Sequence, residues 1–145
     1  MKSSISIVAA VAMLVVSGPA FAGTGTYTTK GDPPVTTGTP QRGGSMQTGT
    51  SVVTMSDGST INEKWTCIGV TNPPNSKIFD VHTICDVSSD RGNYTATFGC
   101  QAMEGGMQGC VGGLYGRSGA YEGKTGATTW SGGQGSGSGT MQWRD

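Results

Sequence analysis

Glycine limits what this chain can fold into more than any other feature. Of 26 glycines, all but Gly18 fall in the 123 residues after position 22, where 20 threonines join them. Glycine in a helix interior costs roughly 1 kcal/mol relative to alanine, and β-branched threonine favours a pleated surface. Long helices are therefore disfavoured and an all-β fold is expected. Parallel strands would need helical crossovers that no segment supplies, so the strands should run antiparallel. Leu, Ile, Val and Phe number only 14 after residue 22, a composition that approaches disorder. Three Trp, four Tyr, four Cys and a formal net charge of zero argue for a folded domain instead.

Residues 1–22 read as an export signal: Lys2 gives the positive start, residues 5–16 the apolar stretch, and Ala20-Phe21-Ala22 the small-x-small cleavage site. The expectation is cleavage after Ala22 and a periplasmic or extracellular product beginning at Gly23. The short, lysine-led signal looks bacterial. Its apolar stretch is too short to span a bilayer and no other run approaches that length, so no membrane insertion of the mature chain is expected.

Cys67, Cys85, Cys100 and Cys110 make an even count in an exported chain, which favours two disulfides. Structural zinc usually takes its ligands in close C-x-x-C pairs, which are absent here, so no metal is expected. A three-residue turn at Glu104-Gly105-Gly106 would pair Met103 with Met107 and set Cys100 opposite Cys110, leaving Cys67 with Cys85.

Residues 23–49 are rich in Gly, Thr and Pro, and Asp32-Pro33-Pro34 and Gln41-Arg42-Gly43-Gly44 read as turn or linker signals. At most one short strand is expected there, with the disulfide-bonded β domain occupying residues 50–145. In that domain, β-forming runs alternate with turn clusters at Ser56-Asp57-Gly58-Ser59, Asn72-Pro73-Pro74-Asn75, Asp90-Arg91-Gly92-Asn93, Glu104-Gly105-Gly106 and Ser131-Gly132-Gly133. Phe79, Val81, Thr83, Cys85 and Val87 share one strand face, continued by Tyr94, Ala96, Phe98 and Cys100. Asp80, His82 and Asp86 share the other with Ile78 and Ile84. So thin a core tolerates exposed sheet edges poorly, which favours a meander of roughly eight strands closed into a barrel; a β-sandwich is the alternative.

The chemistry-bearing residues are sparse. The basic residues are scattered singly rather than gathered in a stripe, which excludes nucleic acid as a partner. The run from Gly119 through Gly123-Lys124-Thr125 has three residues between its glycines where a phosphate loop needs four, and a strand pattern follows it instead of a helix. No cofactor is expected. Asp80 and His82, two residues apart on one strand face, are the candidate catalytic pair, provided that face lines a lumen. Glu63, Glu104 and Glu122 are isolated carboxylates. Asn93-Tyr94-Thr95 matches the glycosylation sequon. Trp65, Tyr115, Tyr121 and Trp130 are the candidate ligand-binding aromatics.

The run Gly112-Gly113-Leu114-Tyr115-Gly116-Arg117-Ser118-Gly119-Ala120-Tyr121-Glu122-Gly123-Lys124-Thr125-Gly126, with Trp130 and the closing Gly139-Thr140-Met141-Gln142-Trp143, resembles the glycine-rich hairpin and last strands of allene oxide cyclase-like and dirigent-like barrels. Gly119, Tyr121, Gly123 and Gly126 carry the match. The resemblance implies an eight-stranded antiparallel barrel around a mostly apolar cavity, in which the plant enzymes steer cyclisation or radical coupling. It carries over no catalytic residue. The functional expectation is a non-catalytic exported barrel that binds a small apolar ligand or a protein partner; the alternative is a cyclase or isomerase acting in the cavity.

Overall fold

The structure, a computed structural model, describes residues 23–71 and 78–145. The export signal and the turn expected at Asn72-Pro73-Pro74-Asn75 lie outside the described residues.

The described chain is all-β. Its strands are β1 (Gly23–Gly31), β2 (Val35–Thr39), β3 (Arg42–Met55), β4 (Thr60–Thr71), β5 (Val81–Ser89), β6 (Gly92–Ala102), β7 (Gln108–Gly116), β8 (Thr125–Gly133) and β9 (Ser136–Arg144). From β2 to β9, each strand pairs antiparallel with the next. β1 pairs with both β9 and β3, which closes eight strands into a barrel with β2 as a ninth beside β3. The single closed sheet excludes the sandwich.

Period-two patterning explains each wall. In β4, Ile61, Glu63 and Trp65 are buried while Thr60, Asn62, Lys64 and Thr66 are exposed. In β1, Tyr27 points inward between exposed Thr26 and Thr28. Inward residues from all eight barrel strands meet in one core, with Val53 fully buried and Leu114 and Ile61 nearly so.

Two expectations are corrected. Residues 23–49 hold β1, β2 and the start of β3 rather than a linker with at most one short strand. The Asp32-Pro33-Pro34 stretch is a bulge. Gly31 pairs with Gly49 and Val35 with Met46, so residues 32–34 oppose only Gln47 and Thr48. Two prolines without N–H groups fit a bulge where they would break a regular ladder. Asp32 still donates its N–H to the Thr48 carbonyl, 2.8 Å, and accepts from the Thr48 hydroxyl at 2.7 Å. The turn expected at Ser131-Gly132-Gly133 lies at Gln134-Gly135 instead, because pairing continues to Gly133 opposite Ser136. Both turn residues have positive φ, 52° and 78°, the geometry that matches strand twist in a two-residue hairpin.

The disulfides are Cys67–Cys85 and Cys100–Cys110. Each joins residues directly opposite in register, Cys67 across β4–β5 and Cys100 across β6–β7. The Glu104–Gly106 turn has the expected register: Met103 donates its N–H to the Met107 carbonyl at 2.8 Å, and Gly105 and Gly106 take φ of 72° and 76°. Two such bridges fit an oxidising compartment, extracellular or periplasmic.

Candidate functional site: the barrel lumen

The two ends of the barrel differ. At one end a plug is built from aromatic rings. The β7–β8 connection folds inward through a 3-10 turn, Gly119–Tyr121, which buries Tyr121. Its ring stacks on Trp143, centroids 4.9 Å apart, and both meet Tyr94 edge-on at 5.1 and 5.2 Å. Such pairs contribute about 0.5–1.5 kcal/mol each beyond the area they bury.

Toward the other end, where the tips of the β2–β3, β6–β7 and β8–β9 hairpins lie, the interior is hollow. A cavity of about 540 Å³ runs down from Gly38, Pro40, Gly106 and Gln134 to Leu114, Met141 and Glu63. Its walls include Trp65, Trp130, Phe98 and Tyr27, together with both disulfides. Rim polar groups hold the upper wall: Trp130 donates Nε1–H to the Thr29 hydroxyl at 3.0 Å, and that hydroxyl donates to the Gly135 carbonyl at 2.8 Å. The Gln47 amide donates to the carbonyls of Asp32 and Gln134, 2.6 and 3.0 Å, tying the bulge to the β8–β9 turn.

Glu63 sits deep in this lumen, eight residues or about 26 Å of strand from Thr71 at the end of β4. It is 3% exposed. Its carboxylate accepts from the Ser51 hydroxyl at 2.8 Å and from the Tyr94 hydroxyl at 3.0 and 3.1 Å. Burial pushes the Glu63 carboxyl above its ordinary range, and the two hydroxyl donors oppose the rise. Tyr94 is held well above the usual phenol value, first by burial and then by the Glu63 charge. Tyr27 is pushed up to about 12 by burial; its hydroxyl donates to the Thr129 carbonyl at 2.7 Å and lies 3.1 Å from the Thr128 hydroxyl. The phenols are hydrogen-bond donors, and Glu63 is the carboxyl group that faces the depth of the lumen.

The residues singled out in the sequence separate in space. Trp65 and Trp130 line the lumen. Tyr121 belongs to the plug, and Tyr115 stands on the outer wall, half exposed. Asp80 and His82 lie outside the lumen: both are exposed, Asp80 accepting from the Ala102 N–H at 2.8 Å and His82 meeting Phe79 edge-on at 5.7 Å. Among the described residues no group of His, Cys, Asp and Glu could hold a metal ion. Glu63 was visible only as an isolated carboxylate, although Ile61, Glu63 and Trp65 alternate onto one face of β4. Outside, Val35, Met46, Ile68 and Ile84 stand in register across β2 to β5 as an exposed apolar row.

No protein-family model, curated protein or solved structure matches this chain.

Proposed function

We propose that this chain is an exported binding protein that holds a small, largely apolar ligand in its barrel lumen. The observation that carries the reading is the cavity itself: about 540 Å³, walled by aromatic rings and disulfides, with a few polar groups at its depth. That size and lining suit a small-molecule site. Export follows the signal reading, with cleavage after Ala22, and the disulfides support it. The exposed row from Val35 to Ile84 supports a protein partner on the outer wall as a companion role.

The test is titration with N-phenylnaphthylamine, an uncharged apolar fluorophore. Saturable one-to-one binding that quenches the tryptophans, and that is lost when Thr83→Trp fills the lumen, is the expected result. Emission without saturation, or unchanged binding in Thr83→Trp, would reject the lumen as the site.

A second reading, a cyclase or isomerase of the allene oxide cyclase-like kind, is supported by the Glu63–Tyr94 pair, which puts a carboxyl with a raised pKa beside the bound molecule. Conversion of a bound substrate, abolished in Glu63→Gln while binding persists, would favour it over simple binding.

A further inference from the structure

The charge of the lumen narrows its ligand further. Among the described residues lining it, Glu63 is the one carboxylate, and there is no Lys, Arg or His. The ion pairs found among the described residues, Arg117 with Asp86 and Lys124 with Asp145, leave Glu63 out. Its two partners, Ser51 and Tyr94, are neutral hydroxyls. A carboxylate offers about four acceptor sites, so two hydroxyls leave capacity unused. A buried anion without a cation is poorly compensated, whereas a buried hydrogen-bonded pair is the usual native solution. Trp65, two residues along the same face of β4, adds an indole to the same lumen wall, a further surface that favours cations.

Resting on the lumen-binding reading, we infer that the ligand is an amine on an apolar body, its ammonium seated against the Glu63 carboxylate and its hydrocarbon part lying between Trp65 and Trp130. The ammonium supplies the missing counter-charge and donates to the acceptor sites that Ser51 and Tyr94 leave. A neutral alcohol can donate one hydrogen bond but leaves the charge unpaired. A carboxylate or phosphate ester would meet Glu63 as a like charge. The pairing needs Glu63 ionised, so amine affinity should rise with pH as Glu63 loses its proton.

The experiment displaces N-phenylnaphthylamine from the mature chain with decylamine, decanol or decanoate. Decylamine should compete at least about tenfold more tightly than decanol, the equivalent of about 1.4 kcal/mol, with decanoate weakest. Glu63→Gln should abolish the advantage of decylamine over decanol. In the wild-type chain, decylamine affinity should strengthen with rising pH and decanol affinity stay flat, a measurement that holds even if the variant fails to fold. Equal competition by amine and alcohol, preference for decanoate, or an amine preference that survives Glu63→Gln would overturn the inference while leaving the lumen reading intact. Absence of fluorophore binding would reject both.

Discussion

Gly49 faces Trp65 directly across the β3–β4 pair, and a methyl group at residue 49 would stand 2.3 Å from the indole Cζ2 and 2.4 Å from the Lys30 carbonyl oxygen. The same arrangement recurs where Gly139 faces Tyr27, with a built Cβ 2.6 Å from the phenol oxygen. In a barrel poor in aliphatic side chains, each of these two large rings fills the interior by lying over a neighbouring strand position that has no side chain. Glycine density is therefore a packing device here.

Gly49→Ala should destabilise the chain by about 1–3 kcal/mol, since the clash includes backbone and cannot be relieved by one rotamer change. Denaturant unfolding measures the loss, and the tryptophan emission of the folded state should shift as Trp65 is displaced. An unchanged midpoint would show that the ring has room to move.

Leu114 and Val111 lie on the same strand and face opposite ways, 1% and 55% exposed. Leu114→Ala should cost about 2–5 kcal/mol through lost burial and the cavity left behind. Val111→Ala should stay within about 0.5 kcal/mol. Comparable losses at the two sites, by chemical denaturation, would contradict the assigned faces.

Peptide mapping without reductant should recover Cys67–Cys85 and Cys100–Cys110 as the linked pairs. Replacing either pair with alanines should remove about 3 kcal/mol, the loop-closure value for spacings of this order. The two single-bridge variants, unfolded in denaturant side by side, give each contribution.

Stability should also depend on pH through Glu63. Burial raises its folded pKa above the unfolded value, so the folded chain holds the proton more tightly. Its contribution is complete at pH below the unfolded value and is lost as pH rises through the raised folded value. Glu63→Gln should flatten that decline, read from denaturant midpoints across the acid range. Tyr27 repeats the sign at alkaline pH: stability falls between its ordinary value of 10.0 and about 12. Ultraviolet titration should show its ionisation delayed accordingly.

What the sequence determined by itself was local. Strand class follows from glycine and threonine, the Cys100–Cys110 pair from the length of one turn, and the shared face of Val81 to Val87 from alternation. Each depends on residues near one another in the chain, where backbone geometry alone sets the answer. Closure was expected from the sequence only in outline, from a core too thin for exposed edges. It needs β1 to pair with β9 more than a hundred residues away, and it decides which faces enclose a lumen. Asp80 and His82 could be paired from sequence, but only the closed barrel puts them outside it. Tyr115 and Tyr121 looked equivalent until the Gly119–Tyr121 turn carried one under the barrel and left the other on the wall. Glu63 became a site only when Ser51 and Tyr94, 12 and 31 residues distant, converged on its carboxylate. Those contacts join strands whose relative positions are set by closure and register, and no period in a single strand encodes them.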